Sequence, residues 1–137
     1  MTTATTPRAV PAPAPATVRV VLFALDGTVS VPAVTDTLAT WQHLVAGSIE
    51  FVRLISPLAS APRDELVAII NEEGLYLQPP SPWVWPLGSR AEVGTPIHGP
   101  FLVARWTYEP NGDDHAVELT RANLATIRGL FPSPATV

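Results

Sequence analysis

The sequence predicts an α+β domain: a mixed or antiparallel sheet of roughly four to six strands with two helices, the strand order left open. Three observations carry this. Val18 to Leu25, Ser48 to Ile55, Glu65 to Asn71 and Gly99 to Tyr108 are runs rich in β-branched and aromatic residues at strand length. Two other stretches repeat apolar residues at three- and four-residue spacing. The strands and helices also do not alternate as repeating βαβ units, and no solenoid-length repeat occurs.

The elements follow in chain order. Residues 1–17 alternate Pro and Ala over Pro11 to Ala16, which forbids a regular helix, so an extended or disordered arm is expected. Val18 to Leu25 reads as a buried strand, Asp26-Gly27 as a turn, and Val29 to Val34 as a short strand that Pro32 confines to an edge. Thr35-Asp36 offers an N-cap for a helix over Asp36 to Ala46, with Leu38, Trp41 and Val45 on one face and Gly47 as its stop. Ser48 to Ile55 places Ile49, Phe51 and Ile55 on one face and Glu50, Val52 and Leu54 on the other, a strand expected to be covered on both sides. Glu65 to Asn71 is another strand. It turns at Asn71-Glu72-Glu73-Gly74 into Leu75-Tyr76-Leu77, which reads as a hairpin. Gln78 to Pro96 is proline-heavy and expected to be irregular. Val117 and Leu119 suggest a brief strand, and Thr120 caps a helix carrying Leu124, Ile127, Leu130 and Phe131, ended by Pro132. The folded unit is thus 18–131, with a short flexible tail over 132–137.

Composition narrows the function classes. The chain has 137 residues, 47% apolar and 15% charged, a net charge of −4 and no cysteine. This length supports one core. The absence of cysteine excludes a disulfide scaffold, a thiolate nucleophile and a cysteine-held zinc. All basic residues are arginines scattered along the chain, so no nucleic-acid partner is expected. No apolar run nears the ~20 residues of a membrane span, and Met1 to Val10 lacks the pattern of a secretory signal, so no membrane partner and a cytoplasmic location are expected. A mean hydropathy of +0.24 in so small a domain leaves apolar surface for self-association or a protein partner.

Three places resemble a known family. Leu44 to Val52 leaves a helix through Gly47 into an aliphatic-Glu pair. Val67 to Gly74 runs a strand into an Asn-Glu-x-Gly turn around Asn71 and Gly74. Gly99-Pro100-Phe101-Leu102-Val103 enters the last long strand through Gly99 and Pro100. In order and spacing these resemble the domain-of-unknown-function family DUF3846, typical of bacteriophages, plasmids and their hosts. Where that family tends to carry a second glycine and a tyrosine at the helix exit, this chain has Ala46 and Ser48. The resemblance covers residues 18–131 and implies a setting in a phage or mobile element, hence a cytoplasmic or virion-associated protein. It brings no activity.

Catalytic patterns fail on inspection. Leu22 to Thr28 is similar to the first motif of haloacid-dehalogenase-type phosphatases, but Ala24 stands where the nucleophilic aspartate belongs and the chain has no lysine. Asp26-Gly27 is therefore a turn. His115 with Asp113, Asp114 and Glu118 lacks the spacing of a metal loop, and His98 reads as structural. No glycine-rich phosphate cradle or nucleophile elbow occurs. No catalytic residue, metal or cofactor is expected. What remains is Trp83 and Trp85, two apart on a proline-stiffened segment, able to roof the core or to anchor a ligand. Arg90 and Arg105 are the nearest bases for an anion, and Glu50 either pairs with Arg53 or Arg19 or lines a polar pocket. Gly47, Asn71, Gly74, Gly99 and Pro100 are expected to be structural. The expectation is a small non-enzymatic binding or regulatory protein acting on a host defence system or a small signalling ligand. The alternative is a structural component of an assembly that uses the Pro/Ala arm.

Overall fold

The structure, a computed structural model, describes residues 16–132. Most of the expected arm and the tail beyond Pro132 lie outside the described residues. Thr17, placed with the arm, instead opens the first strand.

The fold is α+β, and every strand pairing is antiparallel among the described residues. The run expected as one strand from Val18 is two, β1 (Thr17–Arg19) and β2 (Val21–Phe23). It divides at Val20, whose N–H donates to the Pro32 carbonyl at 3.1 Å. Pro32 cannot donate in return, so it also splits the returning chain into β3 (Val29–Ser30) and β4 (Ala33–Thr35). Among the described residues β1 pairs only with β4, while β2 pairs with β3 and joins the central sheet. Asp26-Gly27 forms the β2–β3 turn as expected: the Thr28 N–H donates to the Asp26 carboxylate at 2.9 Å. Hydrogen bonding from the Thr28 side chain, and then from its N–H, holds the Asp26 carboxyl below its ordinary range.

Helix α1 (Leu38–Val45) starts later than the sequence suggests, because the Thr37 hydroxyl, rather than Thr35 or Asp36, accepts from the Thr40 N–H at 3.3 Å. Its buried residues are Trp41 and Val45, one turn apart. It ends on Ala46 in the left-handed conformation, φ 62°.

The central sheet has six strands. β5 (Ile49–Ile55), β6 (Asp64–Asn71) and β9 (Phe101–Thr107) join β2 and β3 in the order β3-β2-β9-β6-β5, and β10 (His115–Val117) pairs with the far end of β9. β6 and β9 are covered on both faces, which is why both read as continuous apolar runs. One face packs Val20, Val67, Ile69, Leu102 and Ala104 under α1. The other packs Phe23, Leu66, Ala68, Phe101 and Val103 under α3 (Arg121–Leu130). The cap expected at Thr120 is present, and it is a capping box: its hydroxyl accepts from the Asn123 N–H at 3.0 Å, and Asn123 Oδ1 accepts from the Thr120 N–H at 2.9 Å.

Three further expectations are corrected. β5 is an outer strand and Phe51 is 43% exposed, so it is not covered on both sides. Leu75 to Leu77 is no strand of a hairpin but part of a four-residue helix, α2 (Gly74–Leu77). The Glu73 N–H is taken by Asn71 Oδ1 at 2.8 Å, which curls the chain before a strand could return. The proline-heavy stretch is also not wholly irregular: β7 (Pro80–Val84) pairs with β8 (Pro96–His98) as a separate ladder. Its prolines sit at the exposed positions of an alternation that buries Ser81 and Trp83.

The small-residue positions serve the architecture. A Cβ on Gly47 would sit 2.6 Å from Asn71 Nδ2, and one on Gly74 would sit 2.9 Å from the His98 carbonyl oxygen. Gly99 turns β8 into β9 at φ 82°, which β-carbon-bearing residues rarely adopt, and Pro100 follows it into the strand. No helix among the described residues is long and apolar enough to cross a membrane.

Candidate functional site

Because β5 is the outer strand and successive side chains point to opposite faces, its residues divide around a free edge. Glu50 and Val52 look toward the α3 layer, where Ile70, Trp85, Arg90 and Ala91 stand. Phe51 and Arg53 look toward the α1 layer, where Glu65, Trp106, Tyr108 and Asp114 stand. These residues line one open groove of about 800 Å³ along the edge.

The α1 side of this groove is built by register. Glu65 on β6 lies directly opposite Trp106 on β9, and Arg53 is opposite Val67, one same-face position further along. Arg53 therefore reaches diagonally across the sheet, and its Nε lies 3.2 Å from Glu65 Oε2. The Tyr108 hydroxyl donates to the other carboxylate oxygen, Oε1. Both oxygens of a carboxylate only 3% exposed are thus engaged, as a buried charge requires. Burial, and then the adjoining Glu65 carboxylate, push the Tyr108 phenol up to about 12, so it stays a donor. Trp106 lies edge-on to Phe51, ring centres 4.9 Å apart, and to Trp41 at 6.3 Å. The wall is aromatic, with a fixed carboxylate beneath it. The Arg53 side chain is held along one edge and remains 46% exposed.

Beside this groove, at the end of β5, Arg53, Leu54, Ser56, Gly88 and Arg90 bound a second cleft of about 170 Å³. Arg90 is exposed and meets no carboxylate among the described residues.

The residues singled out from the sequence fall unevenly. Trp83 is 3% exposed, edge-on to Phe23 at 5.0 Å and to Phe101 at 6.0 Å, so it roofs the core. Trp85 is also core, though one side of it reaches the groove. Glu50 lines the groove but is exposed, and neither expected partner holds it: Arg53 is on Glu65 and Arg19 is on Glu118 at 3.1 Å. Arg105 lines neither the groove nor the small cleft that Arg90 borders. Its Nε lies 2.6 Å from Asp64 Oδ2 and its Nη1 donates to Asn123 Oδ1 at 3.1 Å, which ties α3 to the sheet. Asn71 is buried and does more than hold a turn: Nδ2 donates to the Val45 and Ala46 carbonyls at 3.2 Å each, closing the end of α1. The His98 ring contacts the Gln78 carbonyl through Nδ1 at 2.9 Å, a structural bond. Glu118 has left the polar cluster for Arg19, and no group of three or more His, Asp or Glu is placed to hold a metal among the described residues.

Arg53 entered the sequence reading only as a partner for Glu50, and Glu65, Trp106 and Tyr108 were not singled out. A usable signal existed in the glutamate that opens an otherwise apolar strand, Glu65 to Ile70, because a buried carboxylate demands partners.

The model of a domain of unknown function, DUF3846, matches residues 18–131. Neither a curated protein nor a solved structure matches the chain. The residues matched run from the first core strand through the end of α3, and the chain belongs to the DUF3846 family.

Proposed function

We propose that this chain is a small, non-enzymatic binding protein of a phage or other mobile element, whose ligand seats in the groove along β5. One observation carries the reading. A groove of about 800 Å³, the size of small-molecule sites, joins an aromatic wall of Phe51 and Trp106 to the fixed polar groups of Arg53, Glu65 and Tyr108. Binding rather than catalysis fits the state of those groups, since the Glu65 carboxylate is spent on Arg53 and Tyr108. A small signalling molecule of the host is the ligand such a groove suits, and sequestering one is how so small a protein would act on a defence system. Native mass spectrometry of the protein purified from producing cells tests this. The expected result is a retained mass that Phe51→Ser with Trp106→Leu loses while the far-ultraviolet circular dichroism is unchanged. A bare wild-type protein, or equal retention by the variant, would overturn it.

A second reading, a component of an assembly, is favoured by α2, where Leu75, Tyr76 and Leu77 are 66%, 86% and 65% exposed on consecutive residues. Sedimentation velocity should then show an oligomer that Tyr76→Asp dissociates. A monomeric wild-type protein would count against it.

A further inference from the structure

The small cleft at the end of β5 has a chemistry of its own. Two arginines from different elements, Arg53 on β5 and Arg90 in the β7–β8 loop, bound a space of about 170 Å³ together with Ser56 and Gly88. No acidic residue lines it. The adjoining groove carries Glu50, Glu65 and Asp114. Glu65 is buried and bonded on both oxygens, and Glu50 lies three residues back along β5, roughly 10 Å away at strand rise. Glu65 also acts as a positioning residue: its carboxylate, 3.2 Å from Arg53 Nε, fixes a guanidinium that remains 46% exposed. Arg53 and Arg90 border both the cleft and the aromatic groove, so a charged group in one is continuous with a body in the other.

From this we infer that the cleft is an anion site for a phosphoryl group, and that the ligand is a phosphorylated molecule with a flat aromatic body, the chemistry of a nucleotide. The phosphoryl oxygens take the solvent-facing donors of Arg53 and Arg90 and the Ser56 hydroxyl. The body lies in the groove against Phe51 and Trp106, where stacking needs no particular base. This rests on the binding reading and names the class of ligand.

The test titrates the full chain, ¹⁵N-labelled, with adenosine 5′-monophosphate, adenosine and inorganic phosphate. Both phosphate-bearing probes should shift the Gly88 amide and the Arg53 Nε–H, with adenosine about tenfold weaker or more. Arg90→Gln, a change at an exposed side chain with no carboxylate partner, should weaken adenosine monophosphate by about tenfold and leave the spectrum otherwise folded. Glu65→Gln should weaken both phosphate probes and leave adenosine unchanged, and a loss shared by all three would make Glu65 merely structural. Equal affinity for adenosine and its monophosphate, an unaffected Arg90→Gln, or no response to either phosphate probe overturns the inference. The outcomes separate it from the groove itself. An uncharged molecule retained in native mass spectrometry overturns the anion site and leaves the binding reading standing. Inorganic phosphate bound at Gly88 with adenosine monophosphate no tighter supports the cleft and counts against the groove.

Discussion

Asn71 joins three elements through one amide, and replacing it with alanine should separate them. Its side chain is 95% removed from solvent. Nδ2 donates to the Val45 and Ala46 carbonyls at 3.2 Å each, and Oδ1 accepts from the Glu73 N–H at 2.8 Å. In Asn71→Ala the buried Val45 carbonyl loses its amide donor, at about 1–3 kcal/mol, while the two part-buried groups recover some water and cost about 0.5–1 kcal/mol each. The expected loss is about 3 kcal/mol, a fall in Tm of roughly 10 °C for a domain of this size. Urea denaturation followed by tryptophan fluorescence measures it, with an unchanged m-value as the sign that the unfolded state is the same. Gly47 supplies the internal control. A β-carbon there would sit 2.6 Å from Nδ2, so Gly47→Ala forces the amide aside in the native sequence but is relieved of that contact once Asn71 is alanine. The cost should be about 1–3 kcal/mol in the first background and under about 1 kcal/mol in the second. Equal costs in both backgrounds, or a loss below about 1 kcal/mol for Asn71→Ala alone, would refute the argument that this amide closes the helix.

Other perturbations test other joints. Ala46 holds a left-handed φ of 62°, so Ala46→Gly should raise stability by about 0.5–1 kcal/mol in the same urea assay. Trp83 Nε1 is buried without a partner among the described residues, so Trp83→Phe should cost under about 1 kcal/mol while Trp83→Ala costs about 3–5 kcal/mol, both read as Tm by calorimetry. Asp64→Ala leaves Arg105 and Thr107 without the carboxylate oxygens they hold at 2.6 Å, and should cost about 3 kcal/mol by urea denaturation. The Tyr108 phenol is raised from 10.0 to about 12 in the fold, so its protonated form adds stability that is full below pH 10 and is lost as pH rises toward 12. Stability should therefore fall more steeply between pH 10 and 12 in the wild type than in Tyr108→Phe, measured as the urea midpoint against pH.

What was legible in the sequence is local. The strand runs, the Thr120 cap, the Asp26-Gly27 turn and the glycine entry at Gly99 each depend on a few neighbouring residues. Errors arose where a side-chain bond or a distant partner decides. Leu75-Tyr76-Leu77 has the composition of a strand, but Asn71 Oδ1 takes the Glu73 N–H and starts a helical turn instead. Ser48 to Ile55 has the two-sided apolar pattern of a central strand, yet the sheet order places it outermost. Trp83 and Trp85 do point the same way, as an extended segment requires. Which way is set by β8, which pairs from across a long connection and turns them into the core.

The groove shows the same limit more sharply, and also why an alanine at position 46 matters to it. Arg53, Glu65, Trp106 and Tyr108 are far apart in sequence and become one site only through the order β9-β6-β5, which no local pattern encodes. The end of β6 is then set by Asn71, since the amide that leaves that strand also closes α1. α1 in turn brings Trp41 to within 6.3 Å of Trp106. The helix exit is therefore mechanically upstream of the aromatic wall. An Ala46→Gly change that relaxes the cap should tighten α1 without moving Arg53 or Arg90, raising stability while leaving phosphate affinity as it was. If affinity and stability instead rose together, the anion cleft would be coupled to the α1 layer, and the expectation that Arg53 and Arg90 keep their places would fail.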